Sequence, residues 1–558
     1  MSSTHPPARF DFGLALAGAV SGGAYIAGVV DFIVEAMDRW QAAKERGDPM
    51  APDHDVVLCT VAGTSSGSLT AAALAGALQY RFPPVRSDTP EAVSLNNPLY
   101  DSWVNMTDIT HLLGERDANV QPLQSFFDST NLDIVARKAI DFGAGIPVAN
   151  RRWLSWPLRF AFTVTNLRGV PYSLRCFPAS ASPQQTMHAD VMRFAMTNFG
   201  PHQAPPVNGA ERVLHFPDDP SRKWAAGGDG FAAAALGSAA FPGALIPRTL
   251  HRPTSDYSQI RFCVSQGPGF DKKSLPMAPS WSAVNPAPGP TYQFAAVDGG
   301  VMSNSPVDLV RADLNGGDVA RSNPQRGDES DRAVLMVDPL AGLAPPGPAN
   351  AAGLTLGGIA GSLLTALLAQ VRFRPAELAL AADDDVFSRF IISPPRSADG
   401  TPRQGQSLAG DFLAGFGGYL SKAFRRHDFL LGRCHAQRYL AHTFTLPTGN
   451  HLFDTWTADQ RNHYLANARG ELPIIPLVGD LHPKLRAEPV PPWPTGQAEL
   501  DPLRPLLDRR LDVLYCALLR KTRWRYAGYP VWRWVVRPRL AKAIATAVET
   551  AVQAHRLT

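Results

Sequence analysis

A serine framed by glycines carries the first chemical signal in the chain. Gly63, Thr64, Ser65, Ser66 and Gly67 fit G-x-S-x-G, the spacing of a nucleophile elbow, in which a sharp turn between strand and helix lifts a serine Oγ out of the backbone. Gly63 and Gly67 suit a turn too tight for side chains on its flanks, and the following helix aims its first amides at developing negative charge. A serine hydroxyl is a poor nucleophile until a base accepts its proton. Asp298, in AAVDGGVMSNSP, ends an apolar run immediately before two glycines. That place equally suits an Asx-turn or a helix cap, and it is the presence of Ser65 that makes Asp298 a candidate base. A third loop, AGAVSGGAY, offers backbone N–H groups at Gly18, Ala19 and Val20, where an oxyanion could be bound. An ordinary helix N-terminus crowded against a sheet is the plainer account of the same residues. Together the three loops point to acyl transfer through a serine.

Such loops need strands that end side by side. FDFGLALA reads as a strand ending at Ala17, YIAGVVDFIVEAMDRW as a helix, VVLCTVA as a short buried strand and LTAAALAGALQY as a second helix. Strand, loop and helix repeated in this order imply a parallel sheet covered by helices, with both special loops at the carboxyl edge. An insertion of helical pieces follows over about residues 81–155, with Thr130 or Asn131 as an N-cap. FAFTVTNLRGVPYSLRCF reads as a hairpin turning at Arg168 and Gly169, GGDGFAAAALGSAAFP as an alanine-rich helix stopped by Pro242, and YQFAAVD as the strand carrying Asp298. RAVLMVDP, from Arg332, reads as the strand that ends the sheet.

The 558 residues are 45% hydrophobic and 18% charged, with a net charge of +4. This excludes a disordered chain and gives no footing for nucleic acid. Its 50 prolines, nearly double the usual ~5%, predict long irregular connections. Cys59, Cys176, Cys263, Cys434 and Cys516 are odd in number and widely separated, so reduced thiols are expected, with neither a zinc site nor a disulfide framework. Phe12 to Val30 runs 19 residues without a charge, but its five glycines mark a loop between strand and helix rather than a membrane span or signal peptide. The uncharged stretch from Leu343 to Val371 reads as a buried or lid-like helix, with an interfacial membrane helix as the alternative. The expected location is cytoplasmic, with peripheral membrane attachment open.

At the three loops the sequence resembles the patatin-like phospholipase family, whose pattern runs strand, GGGxRG oxyanion loop, helix, strand, GxSxG, helix and, much later, a DG[GA] aspartate. LALAGAVSGGAYIAGVV aligns without a gap, with Gly18, Gly23 and Gly28 in register, and GTSSG and DGG follow in order. The resemblance covers about residues 10–80 and 225–340. It implies a three-layer α/β fold with a mainly parallel central sheet, long insertions and a helical C-terminal extension. It also implies Ser65 as nucleophile and Asp298 as its partner in a dyad without histidine, no metal or cofactor, and phospholipids or related acyl esters as substrates. GSAAFPGALIP is similar to the family's segment packed behind the site. Ala19 and Val20 stand where the family has glycines and Gly22 where it has arginine. Val20 cannot take positive φ without cost, so the loop is expected to bend differently or to share its donors differently.

The expected organisation is a catalytic core over 1–345, a proline-rich lid or accessory region over 346–500 and a basic aromatic tail over 501–558. The tail, from Arg504 to Thr558, has 12 basic against 3 acidic residues. Seven of those basic residues fall between Arg520 and Arg539, interleaved with Trp524, Tyr526, Tyr529, Trp532 and Trp534. This suits the headgroup layer of an anionic membrane, and packing of Arg against Trp on the domain suits it equally. Two functional alternatives stay open beside the hydrolase. One is a lipid-binding or scaffold protein that kept the fold and lost useful catalysis. The other is an esterase with a Ser-Asp-His triad drawing on His427, His435, His442 or His451.

Overall fold

The computed structural model describes all but residues 1–7, 121, 141–148, 175–182, 198–201, 204–210, 216–227, 265–271, 342–354, 356–357, 360–361, 364–365, 367–369, 372–378, 381–382, 396–406, 499, 501–502 and 521–523. The stretch read as a lid-like helix from Leu343 to Val371 lies mostly outside the described residues, as does Cys176.

The first strand, β1 (Arg9–Leu16), leads through a short turn into α1 (Gly23–Glu45), and β2 (Asp55–Gly63) leads through Ser65 into α2 (Ser66–Ala77). β1 and β2 run parallel, so both loops emerge at the same sheet edge. After α3 (Thr130–Ile140) come the long strand β3 (Leu154–Ser173) and β4 (Gln184–Thr197). Next follow the alanine-rich α4 (Gly228–Ser238), β5 (Arg248–Pro253), β6 (Thr291–Asp298), α5 (Val307–Leu314), β7 (Arg332–Val337) and β8 (Arg389–Ile392). The sheet runs β8-β7-β1-β2-β3-β6-β5. It is parallel from β8 to β3, while β6 joins β3 and β5 antiparallel. The result is a mixed α/β fold with a mainly parallel central sheet.

Two expectations need correcting. Arg168 and Gly169 do not turn a hairpin: β3 continues through them, and Gly169, at φ +73°, occupies a register shift against β4. A glycine in positive φ serves a bulge as well as a turn. Nor does the sheet end with β7, because residues 389–392 pair parallel with residues 334–337. The region assigned to a lid or accessory unit therefore supplies an edge strand of the core.

The same region supplies α6 (Lys422–His442), which packs along α1. The helix Val20–Glu45 is long and apolar enough to cross a membrane, yet 94% of its apolar window is buried inside the fold. Its two inward carboxylates explain why it belongs there. Arg433 of α6 is fully buried and bonds Asp31, Glu35 at 2.6 Å and Glu488 at 2.7 Å. A charge so far from water is tolerable only when opposite charges are paired closely with it, as the three carboxylates are here.

The tail folds into two helices, α7 (Leu503–Leu518) and α8 (Arg537–Ala554), which pack on each other. Leu507, Leu511, Val552 and Leu557 join a cluster with Phe412, Phe424 and Ile109. Arg510 of α7 is buried against the insertion, bonding Asp117 at 2.8 Å and the carbonyl of Ser125 at 3.1 Å.

Candidate active site

β2 delivers Ser65 with φ 53° and ψ −123°, a conformation that L residues adopt at a cost of order 1–3 kcal/mol and that concentrates at functional sites. Close packing enforces it. A Cβ on Gly67 would stand 2.2 Å from the Leu16 carbonyl oxygen, and one on Gly63 would stand 2.6 Å from the Ser68 backbone. Beneath the turn, Ser238 at the end of α4 accepts hydrogen bonds from the Ser65 N–H at 2.9 Å and from the Ser68 hydroxyl at 2.7 Å.

The Ser65 hydroxyl donates to Asp298 Oδ2 at 2.6 Å, and the Gly300 N–H donates to Asp298 Oδ1 at 2.7 Å. The cap and the candidate base are thus one residue, with one carboxylate oxygen closing the turn and the other meeting the serine. Both side chains are nearly inaccessible, at 6% for Ser65 and 4% for Asp298. Burial pushes the Asp298 carboxyl up to about 6, against the opposing hydrogen bonds from Ser65 and Gly300. This makes it a stronger base than an exposed aspartate, while leaving it ionised at neutral pH.

Three of the four histidines considered for a triad bond to other groups. His427 bonds Asp428 at 3.1 Å, His435 bonds the Tyr25 hydroxyl at 3.0 Å and His442 bonds the Ala466 carbonyl at 2.9 Å. His451 starts a short turn capped by Asn450. Among the described residues no cluster of three His, Cys, Asp or Glu is placed to hold a metal ion.

The glycine-poor loop does not bend away from positive φ as expected; it keeps that conformation with Val20 bearing the strain, and it is the amide donors that are shared differently. Val20 takes φ +50°, the strained conformation that a glycine would enter freely. Ala19 donates its N–H to the Ser66 hydroxyl at 2.9 Å. Of the three amides proposed for an oxyanion, that of Ala19 therefore already has a partner, and Gly18 and Val20 carry the expectation. Gly18 lies against Asn304, whose Oδ1 would be 2.3 Å from an added Cβ, and Asn304 Nδ2 donates to the Gly18 carbonyl at 3.4 Å. The Ser21 hydroxyl donates to the Gly415 carbonyl at 2.5 Å and accepts from the Gly418 N–H at 3.1 Å.

Beside Ser65 opens a narrow apolar cavity of about 50 Å³ that runs between α2 and α3, lined by Leu69, Ala72, Leu132 and Ala136, with Phe416 and Tyr419 contributed from far along the chain. Sequence reading did not single out Ser66, Ser238, Asn304 or Phe416. Asn304, six residues after Asp298, and Ser238, in the alanine-rich segment, were within reach of their motifs. Phe416 carries no local signal.

The family profile described as Patatin-like phospholipase matches residues 14–311, 298 of the 558 residues, from β1 through α5. The uncharacterized protein y4iI of Sinorhizobium fredii (strain NBRC 101917 / NGR234) is 32% identical over 554 residues, covering 92% of this chain and 76% of its own length. Among solved structures, VipD from Legionella pneumophila is 10% identical, with a TM-score of 0.22, over 77% of this chain and 66% of the VipD chain. On the strength of the matched profile, the chain belongs to the patatin-like phospholipase family.

Proposed function

We propose that the chain is a serine lipid acyl hydrolase that cleaves acyl ester bonds of phospholipids or related lipids. The observation that carries this reading is the 2.6 Å hydrogen bond from the Ser65 hydroxyl to a buried Asp298 beside an apolar cavity. As Ser65 Oγ attacks the ester carbonyl, its proton passes to Asp298. The oxyanion is held by the Gly18 and Val20 amides beside the N-terminus of α2. Collapse of the tetrahedral intermediate expels the alcohol, which takes the proton from Asp298, and leaves the acyl group on Ser65. Water then attacks the acyl-enzyme, again giving a proton to Asp298, and the fatty acid leaves as the proton returns to Ser65.

A second reading, a lipid-binding protein of weak catalysis, is favoured by the engaged Ala19 amide, since one oxyanion donor is typically worth about 2.7–4 kcal/mol. A fluorophosphonate probe separates the two. The hydrolase labels at Ser65, and a folded wild type that fails to label, or a Ser65→Ala variant that labels equally, would overturn the first reading.

Contact with a membrane belongs to the same proposal. Tyr526 and Trp534 are 77% and 78% exposed, with Val531 and Leu518 also exposed nearby in sequence. Trp532, by contrast, stacks on Tyr515 at 4.8 Å and bonds Asp512, which also pairs with Arg533 and Arg537. The tail thus divides between packing and an exposed aromatic face suited to a headgroup layer.

A further inference from the structure

A second apolar cavity, of about 150 Å³, lies between the segment Leu413–Leu420 and the tail helices. Its walls include Phe126, Phe127, Leu413, Leu507 and Val548, and Phe416 lines both this cavity and the one at Ser65. Phe416 stands as a partition: its ring centroid is 5.7 Å from that of Phe241 on the Ser65 side and 5.8 Å from that of Phe127 on the other. The three residues before it, Leu413, Ala414 and Gly415, all have positive φ, so the backbone is held in an unfavourable run to present this ring there. Leu413 is 36% exposed, and Arg504 pairs with Glu549 at 3.0 Å on the cavity wall, both side chains open to solvent. The space is therefore apolar inside, polar at the rim and open to the outside.

By the ~10–15 Å³ that one water-sized sphere occupies, the cavity at Ser65 holds about three to five such spheres and the second about ten to fifteen. We infer that the second cavity receives the other acyl chain of a two-chain lipid whose scissile chain enters between α2 and α3, with Phe416 lying between the two chains. The inference rests on the lipid hydrolase reading for its first chain, and it adds to that reading the place where the second chain is held. An inner wall of Phe, Leu, Ile and Val suits an alkyl chain, and the cavity's common boundary with the Ser65 cavity at Phe416 is what commits it to the same molecule.

The test does not need turnover. A dialkyl ether phosphatidylcholine, with a terminal diazirine on its second chain, is presented in mixed micelles to the full chain and photolysed, and the adducts are mapped by mass spectrometry. Adducts at Phe126, Phe127 or residues 544–549 are expected. Val548→Trp, which fills the cavity, should reduce them at least five-fold while hydrolysis of p-nitrophenyl butyrate changes less than two-fold, and Ala545→Phe on the same wall repeats the measurement should Val548→Trp not fold. Adducts confined to the Ser65 cavity or the outer surface, or adducts unchanged in the folded filled variants, overturn the inference. A wild type that gives the expected adducts yet hydrolyses neither p-nitrophenyl butyrate nor the diacyl ester counterpart of the probe refutes the hydrolase reading and leaves the binding site standing.

Discussion

Ala19 gives its backbone N–H to the hydroxyl of Ser66, 2.9 Å away, so the loop after β1 and the first turn of α2 are joined directly behind the nucleophile. Ser66→Ala removes that acceptor and leaves a buried N–H without its partner, at about 1–3 kcal/mol. The expected kinetic result is a fall in kcat of roughly ten-fold with little change in KM, because the loop is loosened where negative charge develops and not where the lipid chain binds. Equal kcat in the variant, measured on a short ester, would show that the loop holds its shape unaided.

Ser65→Gly and Ser65→Ala should both abolish labelling and turnover, yet differ in stability. At φ 53° glycine is at ease and alanine is not, so the glycine variant is expected to be more stable by about 1 kcal/mol. Urea denaturation of the two inactive proteins checks this.

Asp298 fixes the pH dependence. As the proton acceptor of the proposed mechanism it must be ionised, so kcat/KM is expected to rise with pH through about 6, and Asp298→Asn to lose both the activity and that limb of the profile. Stability runs the other way. The folded carboxyl lies above its usual 3.8, so the protonated form is the one that folding favours. This contribution is fully present below about 4 and is lost as pH rises through about 6. Asp298→Asn should therefore melt higher than wild type at pH 8, by on the order of 2 kcal/mol, with the gap closing towards pH 4. A gap that widens on acidification would mean that the carboxylate is stabilised by its site.

Arg433→Met strands Asp31, Glu35 and Glu488 together in the interior. A loss of roughly 3–5 kcal/mol is expected at neutral pH, partly recovered at pH 5, where Asp31, already pushed up to about 6 by burial, takes up a proton. Chemical denaturation at the two pH values reads both effects.

Trp534→Ala should lower sedimentation with anionic liposomes several-fold and leave the melting temperature in place, since the ring is 78% exposed. Trp532→Ala should do the reverse, because its ring is stacked on Tyr515 and tied to Asp512. If both variants bind liposomes as wild type does, the tail is packing only.

Much of the catalytic half could be read from local sequence because its signals are local. A β-rich run, GTSSG and an alanine-rich helix sit within some 25 consecutive residues, and the turn they make follows from glycines that have no room for a Cβ. Asp298 was found the same way, at a strand end before two glycines. What could not be read depends on partners hundreds of positions away. The four residues of β8 are too few to show a period, and only their pairing with β7 makes them a strand. Arg433 stands in a helix dense in charge and gains its meaning from Asp31 on α1. Phe416 sits in a glycine-rich stretch that would pass for a surface loop, and it reaches the serine only because Ser21 clasps its neighbours Gly415 and Gly418.

For the hydrolase proposed above, that clasp also sets the point in synthesis from which activity would begin. A chain emerging from the ribosome presents Ser65 early and Asp298 about halfway through synthesis, yet Phe416 and Tyr419, which wall the cavity, and the contacts that steady Ser21 are translated more than a hundred residues after Asp298. On that reading Ser65 and Asp298 are synthesised long before the surface that would seat a lipid beside them, and a chain stopped short of Phe416 would carry both residues without the far wall of the cavity.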